Sequence, residues 1–138
     1  LNSELCNKNV EKFHNTKIVE QVGHGLVQLI EKGEINSPEM TKLLRSYLNP
    51  MIEANIDYLV LGCSHYPYLI PQIKKILPEH IHIIYSGEAV ARSTHTVLKE
   101  KVALSNIKNR EPLFYTNSDP KVLSEILGNK YEVIEKDF

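Results

Sequence analysis

In the stretch Asp57-Tyr58-Leu59-Val60-Leu61-Gly62-Cys63-Ser64-His65-Tyr66-Pro67, an apolar run gives way at a glycine to cysteine, serine and histidine. Four consecutive strand-forming residues, Tyr58 to Leu61, read as a buried strand. Gly62 then allows the backbone to turn sharply at the strand's carboxyl end. Similar runs lie on either side, at Lys17–Val22, Ile81–Tyr85, Leu113–Thr116 and Tyr131–Ile134. Helical patterns separate them. The clearest begins at Ser37, with Pro38 suited to the first helical position and Glu39 to the positive end of the dipole. Met40, Leu43, Leu44, Tyr47, Leu48, Met51 and Ile52 give it an apolar stripe at three-four spacing, and Pro50 predicts a kink or an early stop. Further helices are expected over 71–77, after Gly87, and from Ser118-Asp119-Pro120 to a stop at Gly128.

Strands alternating with helices imply an α/β fold, a parallel sheet flanked by helices. In such sheets ligands bind beyond the carboxyl ends of the strands, so Cys63 falls at the functional edge. The bulk properties fit one domain or little more. The chain has 138 residues, 42% hydrophobic and 24% charged, with a formal net charge of -1. That balance gives no basic footprint for nucleic acid. No apolar run approaches the roughly 18 residues of a membrane span, and no signal core opens the chain. Two cysteines make no disulfide framework, which leaves the cytoplasm as the default compartment. The chain opens on Leu1 and a polar helix-like stretch without a preceding strand, so a fragment is expected, and the segment from Glu100 to Pro112 is the best candidate linker.

The residues around Cys63 admit three chemistries. A thiol beside an imidazole and ahead of a helix is held towards the thiolate, the reactive form. A buried structural cysteine ending a strand is the bland alternative. A zinc site could draw on Cys63, His65 and His82, but no Cys-x-x-Cys or His-x-x-x-His spacing supports it. Three reactive or polar side chains in a row are poor core material, which favours function.

Gly62-Cys63-Ser64-His65-Tyr66-Pro67 resembles the Gly-Cys-Thr-His-Tyr-Pro signature of glutamate racemases, with serine for threonine. Leu29-Ile30-Glu31-Lys32-Gly33-Glu34, Ser86-Gly87-Glu88-Ala89-Val90-Ala91 and Phe114-Tyr115-Thr116 with its acidic-proline helix start resemble other segments of that family. The resemblance covers nearly the whole chain. It implies a cofactor-independent isomerase that interconverts L- and D-glutamate with two cysteines on opposite faces of the substrate, supplying D-glutamate for peptidoglycan. Cys63 is then the second domain's catalytic cysteine, His65 tunes it, and Ser64 hydrogen-bonds the substrate. Glu31 matches a carboxylate that orients or tunes the histidine, against the alternative of a solvated helix-end acid. No pyridoxal phosphate, metal or nucleotide is implied, and the intact enzyme is expected to be a cytoplasmic homodimer.

The family's first cysteine sits in a Cys-Asn-Thr motif. Cys6-Asn7-Lys8 departs from it and has no strand ahead, so Cys6 is expected to be a decoy. Residues 1–93 are then expected to be the second racemase domain without its first strand, and 94–138 a segment that packs on the first domain. The chain alone is expected to be inactive. Gly23-His24-Gly25, where the family often has Cys-Pro, and Tyr85, where it has Asp, depart from the pattern. The competing readings are a racemase of another small acid such as aspartate, and a non-catalytic protein-binding module.

Overall fold

The computed structural model describes residues 15–102 and 111–138. Cys6, the polar stretch around it and most of the expected linker lie outside the described residues. The first helix, α1 (Leu26–Glu31), starts from Gly25, whose φ of 83° only glycine adopts freely. It ends in a Schellman turn: Gly33 N–H donates to Ile30 O, Glu34 N–H to Leu29 O, and Gly33 sits at φ 75°. In α2 (Pro38–Glu53) the Ser37 hydroxyl accepts from Met40 N at 3.0 Å, with Pro38 and Glu39 where the sequence places them. The helix does not stop at Pro50 but runs on to Glu53. Proline costs an interior turn about 3 kcal/mol; Met51 and Ile52, packed against the core on that last turn, offset it.

Strand β1 (Tyr58–Val60) leads through Cys63 into a 3-10 turn (Tyr66–Leu69) and the short α3 (Ile70–Ile73). This helical stretch begins five residues earlier than the expected 71–77 and ends sooner, because Pro67 and Pro71 both stand at first-turn positions. Strand β2 (His82–Ile84) then pairs parallel with β1 in the register Tyr58↔His82, Leu59↔Ile83, Val60↔Ile84. After α4 (Gly87–Lys101) the pattern repeats: β3 (Leu113–Thr116), α5 (Pro120–Ile126) and β4 (Glu132–Glu135), with β3 and β4 parallel. A second Schellman turn closes α5 at Gly128, φ 70°.

The fold is thus α/β with parallel strands and helical crossovers, arranged as two separate strand pairs rather than one sheet. Lys17–Val22, expected as a strand, enters neither ladder. Between it and β1 lies an open cleft of about 880 Å³, so no partner edge stands at the roughly 4.8 Å that pairing needs. The core forms where α1 and α2 cover β1: Ile30, Met40 and Leu69 are fully buried, with Leu26, Leu29, Leu44, Leu48 and Leu59 around them. Each such side chain contributes roughly 1.5–3 kcal/mol when fully buried. This core fixes the carboxyl end of β1, and with it the position of Cys63.

Candidate active site

Leu59 and Leu61 are buried and anchor the strand, so Cys63 emerges half-buried just past its carboxyl end. Gly62 is exposed, has no left-handed φ, and a Cβ there would meet nothing within 4 Å. Its expected role in a sharp turn is therefore not what the backbone demands. The turn is made instead by Tyr66 N–H, which donates to Cys63 O at 3.2 Å.

That turn brings His65 back over Cys63. Its Nδ1 stands 3.8 Å from Cys63 Sγ and 3.4 Å from Ser64 Oγ. On the other side of the ring, Nε2 stands 3.5 Å from Glu31 Oε1. The order is thiol, imidazole, carboxylate. With the Nε2 proton held towards Glu31, Nδ1 is left as an acceptor facing the thiol, the tautomer a base needs to take a proton from sulfur. The His65 and Glu31 side chains are 37% and 63% exposed, so their pairing orients the ring more than it stabilises the fold. Glu31 is the last residue of α1, immediately before the Schellman turn closes the helix.

Two tyrosines brace the facing wall. Tyr66 Oη donates to Gly23 O at 3.3 Å and Tyr47 Oη donates to His24 O at 2.8 Å. Burial first, then the charges of Cys63 and Tyr47, raise the Tyr66 phenol above its ordinary value near 10.0. A Cβ on Gly23 would lie 2.6 Å from Tyr66 Oη and from Leu26 Cδ1, and Gly25 needs its left-handed φ. Gly23-His24-Gly25 is therefore a turn of glycines pinned by tyrosines. The His24 ring is exposed, and only its carbonyl is held. Sequence reading did not single out Tyr47 or Tyr66 as site residues; the paired glycines were the available signal.

The structure unites Cys63, Ser64, His65 and Glu31. It does not bring His82 to them, because that ring lies against Tyr58 with centroids 5.4 Å apart. Among the described residues no three His, Cys, Asp or Glu side chains converge as a metal site would require. Nor is any described helix long and apolar enough to cross a membrane. Tyr85, the other departure, lays its ring beside Gly87, where a Cβ would sit 3.5 Å away.

No family model matches the chain. Among curated proteins it is 38% identical over 113 residues to the glutamate racemase of Pseudomonas entomophila, covering 82% of this chain and 43% of that protein. Among solved structures it resembles glutamate racemase isoform RacE1 from Bacillus anthracis, at a TM-score of 0.73 and 28% identity, over 97% of this chain and 52% of that one. The glutamate racemase of Francisella tularensis, solved with D-glutamate, shares the fold at a TM-score of 0.74 and 23% identity, over 96% and 51%. The chain spans about half the length of these relatives.

Proposed function

The chain belongs to the glutamate racemase family, and from that premise we propose that Cys63 is one of two thiols that invert the α-carbon of glutamate. The observation that carries this reading is the alignment of Cys63 Sγ, the two nitrogens of His65 and Glu31 Oε1 at the end of β1.

Cys63 passes its thiol proton to Nδ1 of His65, and the thiolate takes the α-proton from one enantiomer. The C–H electron pair stays on the substrate, delocalised into its carboxylate. A thiol on the opposite face delivers a proton to the α-carbon, which completes the inversion. In the reverse direction Cys63 donates and His65 supports the thiolate that remains. Ser64, exposed beside the thiol, is placed to hydrogen-bond a substrate carboxylate. The reaction needs no cofactor, because the charge is carried by the substrate and the proton by sulfur.

Among the described residues Cys63 is the one cysteine, and Cys6 lacks the family's surrounding motif. The 138 residues alone are therefore expected not to racemise glutamate. In the whole enzyme, residues 1–93 serve as most of one domain and 94–138 pack on the other. That enzyme acts as a cytoplasmic homodimer supplying D-glutamate for peptidoglycan. Family membership supports these last readings.

The test is Cys63→Ala in a full-length racemase carrying this region, followed by circular dichroism of L- and D-glutamate. Removing a proton-transfer group should cost about 10²–10⁴-fold or more in rate. Activity near that of the unaltered enzyme would sink the assignment. A substrate panel including aspartate fixes which acid is turned over.

A further inference from the structure

We infer that Tyr66 is a positioning residue of this site: its hydroxyl holds the start of α1 to the Cys63 turn, which keeps Glu31, at the other end of α1, in line with His65. The inference rests on the reading of Cys63 as a proton-transfer thiol supported by His65.

Two consecutive side chains reach opposite ends of one short helix. His65 Nε2 stands 3.5 Å from Oε1 of Glu31, the last residue of α1. Tyr66 Oη donates at 3.3 Å to Gly23 O. The same carbonyl accepts at 3.3 Å from the N–H of Leu26, the first residue of α1. Both side chains leave the turn that Tyr66 N–H closes on Cys63 O. Past the Glu31 end, Gln72 Nε2 of α3 donates to Asn36 Oδ1, in the connection between α1 and α2. The residues that follow Cys63 therefore grip α1 before its start, at its last residue and beyond it.

Such a helix needs holding. Its six residues make about 9 Å, too short to keep its shape unaided. Leu26, Leu29 and Ile30 bury one face in the core. Apolar burial is non-directional, however, and does not fix the helix along its own axis. A slip of one residue's rise, about 1.5 Å, would carry Glu31 out of pairing reach of the imidazole. A hydrogen bond to the carbonyl that begins the helix opposes that slip.

The sequence makes room for the bond. A Cβ on Gly23 would lie 2.6 Å from Tyr66 Oη, so any side chain there would push the hydroxyl or its acceptor aside. The bond thus goes with the Gly23-His24-Gly25 departure from the family's frequent Cys-Pro. Burial, with the charges of Cys63 and Tyr47, keeps the phenol protonated, so it stays a donor when Cys63 is a thiolate. Its proton is engaged by Gly23 O, and its influence on the thiol runs through α1 and Glu31.

Alkylation of Cys63 by iodoacetamide reads the thiol–imidazole pair in the 138-residue chain without requiring racemisation, with peptide mass spectrometry separating Cys63 from Cys6. Tyr66→Phe should slow it about two- to tenfold, the worth of one ordinary hydrogen bond. Glu31→Gln should slow it too. Adding Tyr66→Phe to Glu31→Gln should then change the rate by less than about 1.5-fold, because the two residues act in series. A rate unchanged or raised in either single variant would overturn the proposal. Additive losses would also overturn it, since Tyr66 would then act on Cys63 directly or on stability alone. In a full-length racemase carrying this region, Tyr66→Phe should lower kcat by the same factor and leave KM for glutamate within about twofold. Unchanged kcat, with or without a higher KM, would overturn it. So would loss of a cooperative urea transition in Tyr66→Phe, because the bond would then carry the fold instead of aiming Glu31. Coupled alkylation rates in an enzyme whose Cys63→Ala variant still racemises would leave the positioning role standing and sink the reading of Cys63.

Discussion

Residues 26–81 and the described part of residues 82–138 both combine strand with helix, yet only the first region has an interior. Among the described residues all of the buried apolar core, from Leu26 to Ile81, lies in it. In the second, α4 is 15 residues long and buries none of them, with Val90, Val97 and Leu98 exposed at 59%, 46% and 41%. A helix holds together in a protein mainly through its packed apolar face, and the stripe on α4 has nothing beneath it among the described residues. The site belongs wholly to the packed region: Glu31, Cys63, Ser64 and His65 all ride on elements that reach the core. The second region contributes Ile83 and Ile126, packed against that core from β2 and α5.

The strongest way to break this contrast is to remove equivalent apolar groups from each region. Ile30→Ala empties a fully buried position and should cost about 2–5 kcal/mol. Val97→Ala, on the open face of α4, should stay within about 0.5 kcal/mol. Urea denaturation of both variants measures the difference. Comparable losses would show that α4 is packed and that the two regions are alike.

A smaller effect sharpens the same point through helix caps. Ser37 and Asp119 each accept one backbone N–H, at 3.0 and 2.9 Å, at the start of α2 and α5. Ser37→Ala should cost about 1 kcal/mol, because α2 carries Met40, Leu44 and Leu48 into the core. Asp119→Ala frees a helix with no buried residue, and its effect on global unfolding should be the lesser of the two. The order of the two thermal midpoints checks it.

The same contrast explains what could be read from the sequence. Helix α2 was legible to its cap because Ser37-Pro38-Glu39 and the three-four stripe point to one structure. The strands at 58–60 and 82–84 were legible because they pair with each other inside the chain. Lys17–Val22 was not, although its residues suit a strand, because a strand needs a neighbour and its nearest edge lies across the cleft. Of the site, Cys63, Ser64 and His65 came from one contiguous motif. Glu31 had only its resemblance to the family, because its 3.5 Å approach to the imidazole joins residues far apart in the chain. Tyr47 was hidden because a tyrosine on a helical stripe reads as core, and the roles of Tyr47 and Tyr66 were hidden because the partner of each hydroxyl is a carbonyl far along the chain.

Tyr66 gives the smallest and most local test of the packed region. Burial, Cys63 and Tyr47 all raise its pKa above about 10 in the folded chain. Below that pH the phenol is neutral in both states and titration makes no difference to stability. As pH rises through 10 the unfolded chain loses the proton first, while the folded chain still holds it. Stability therefore falls from about pH 10 until the folded pKa is passed. Tyr66→Phe removes the group, so its thermal midpoint should fall less steeply than that of the unaltered chain above pH 10, with a constant offset below pH 9. The offset reports the lost bond to Gly23 O, and the divergence reports the raised pKa. Parallel curves across the whole range would mean that Tyr66 is as solvated as the tyrosines of the open region, and that the wall it braces is not closed.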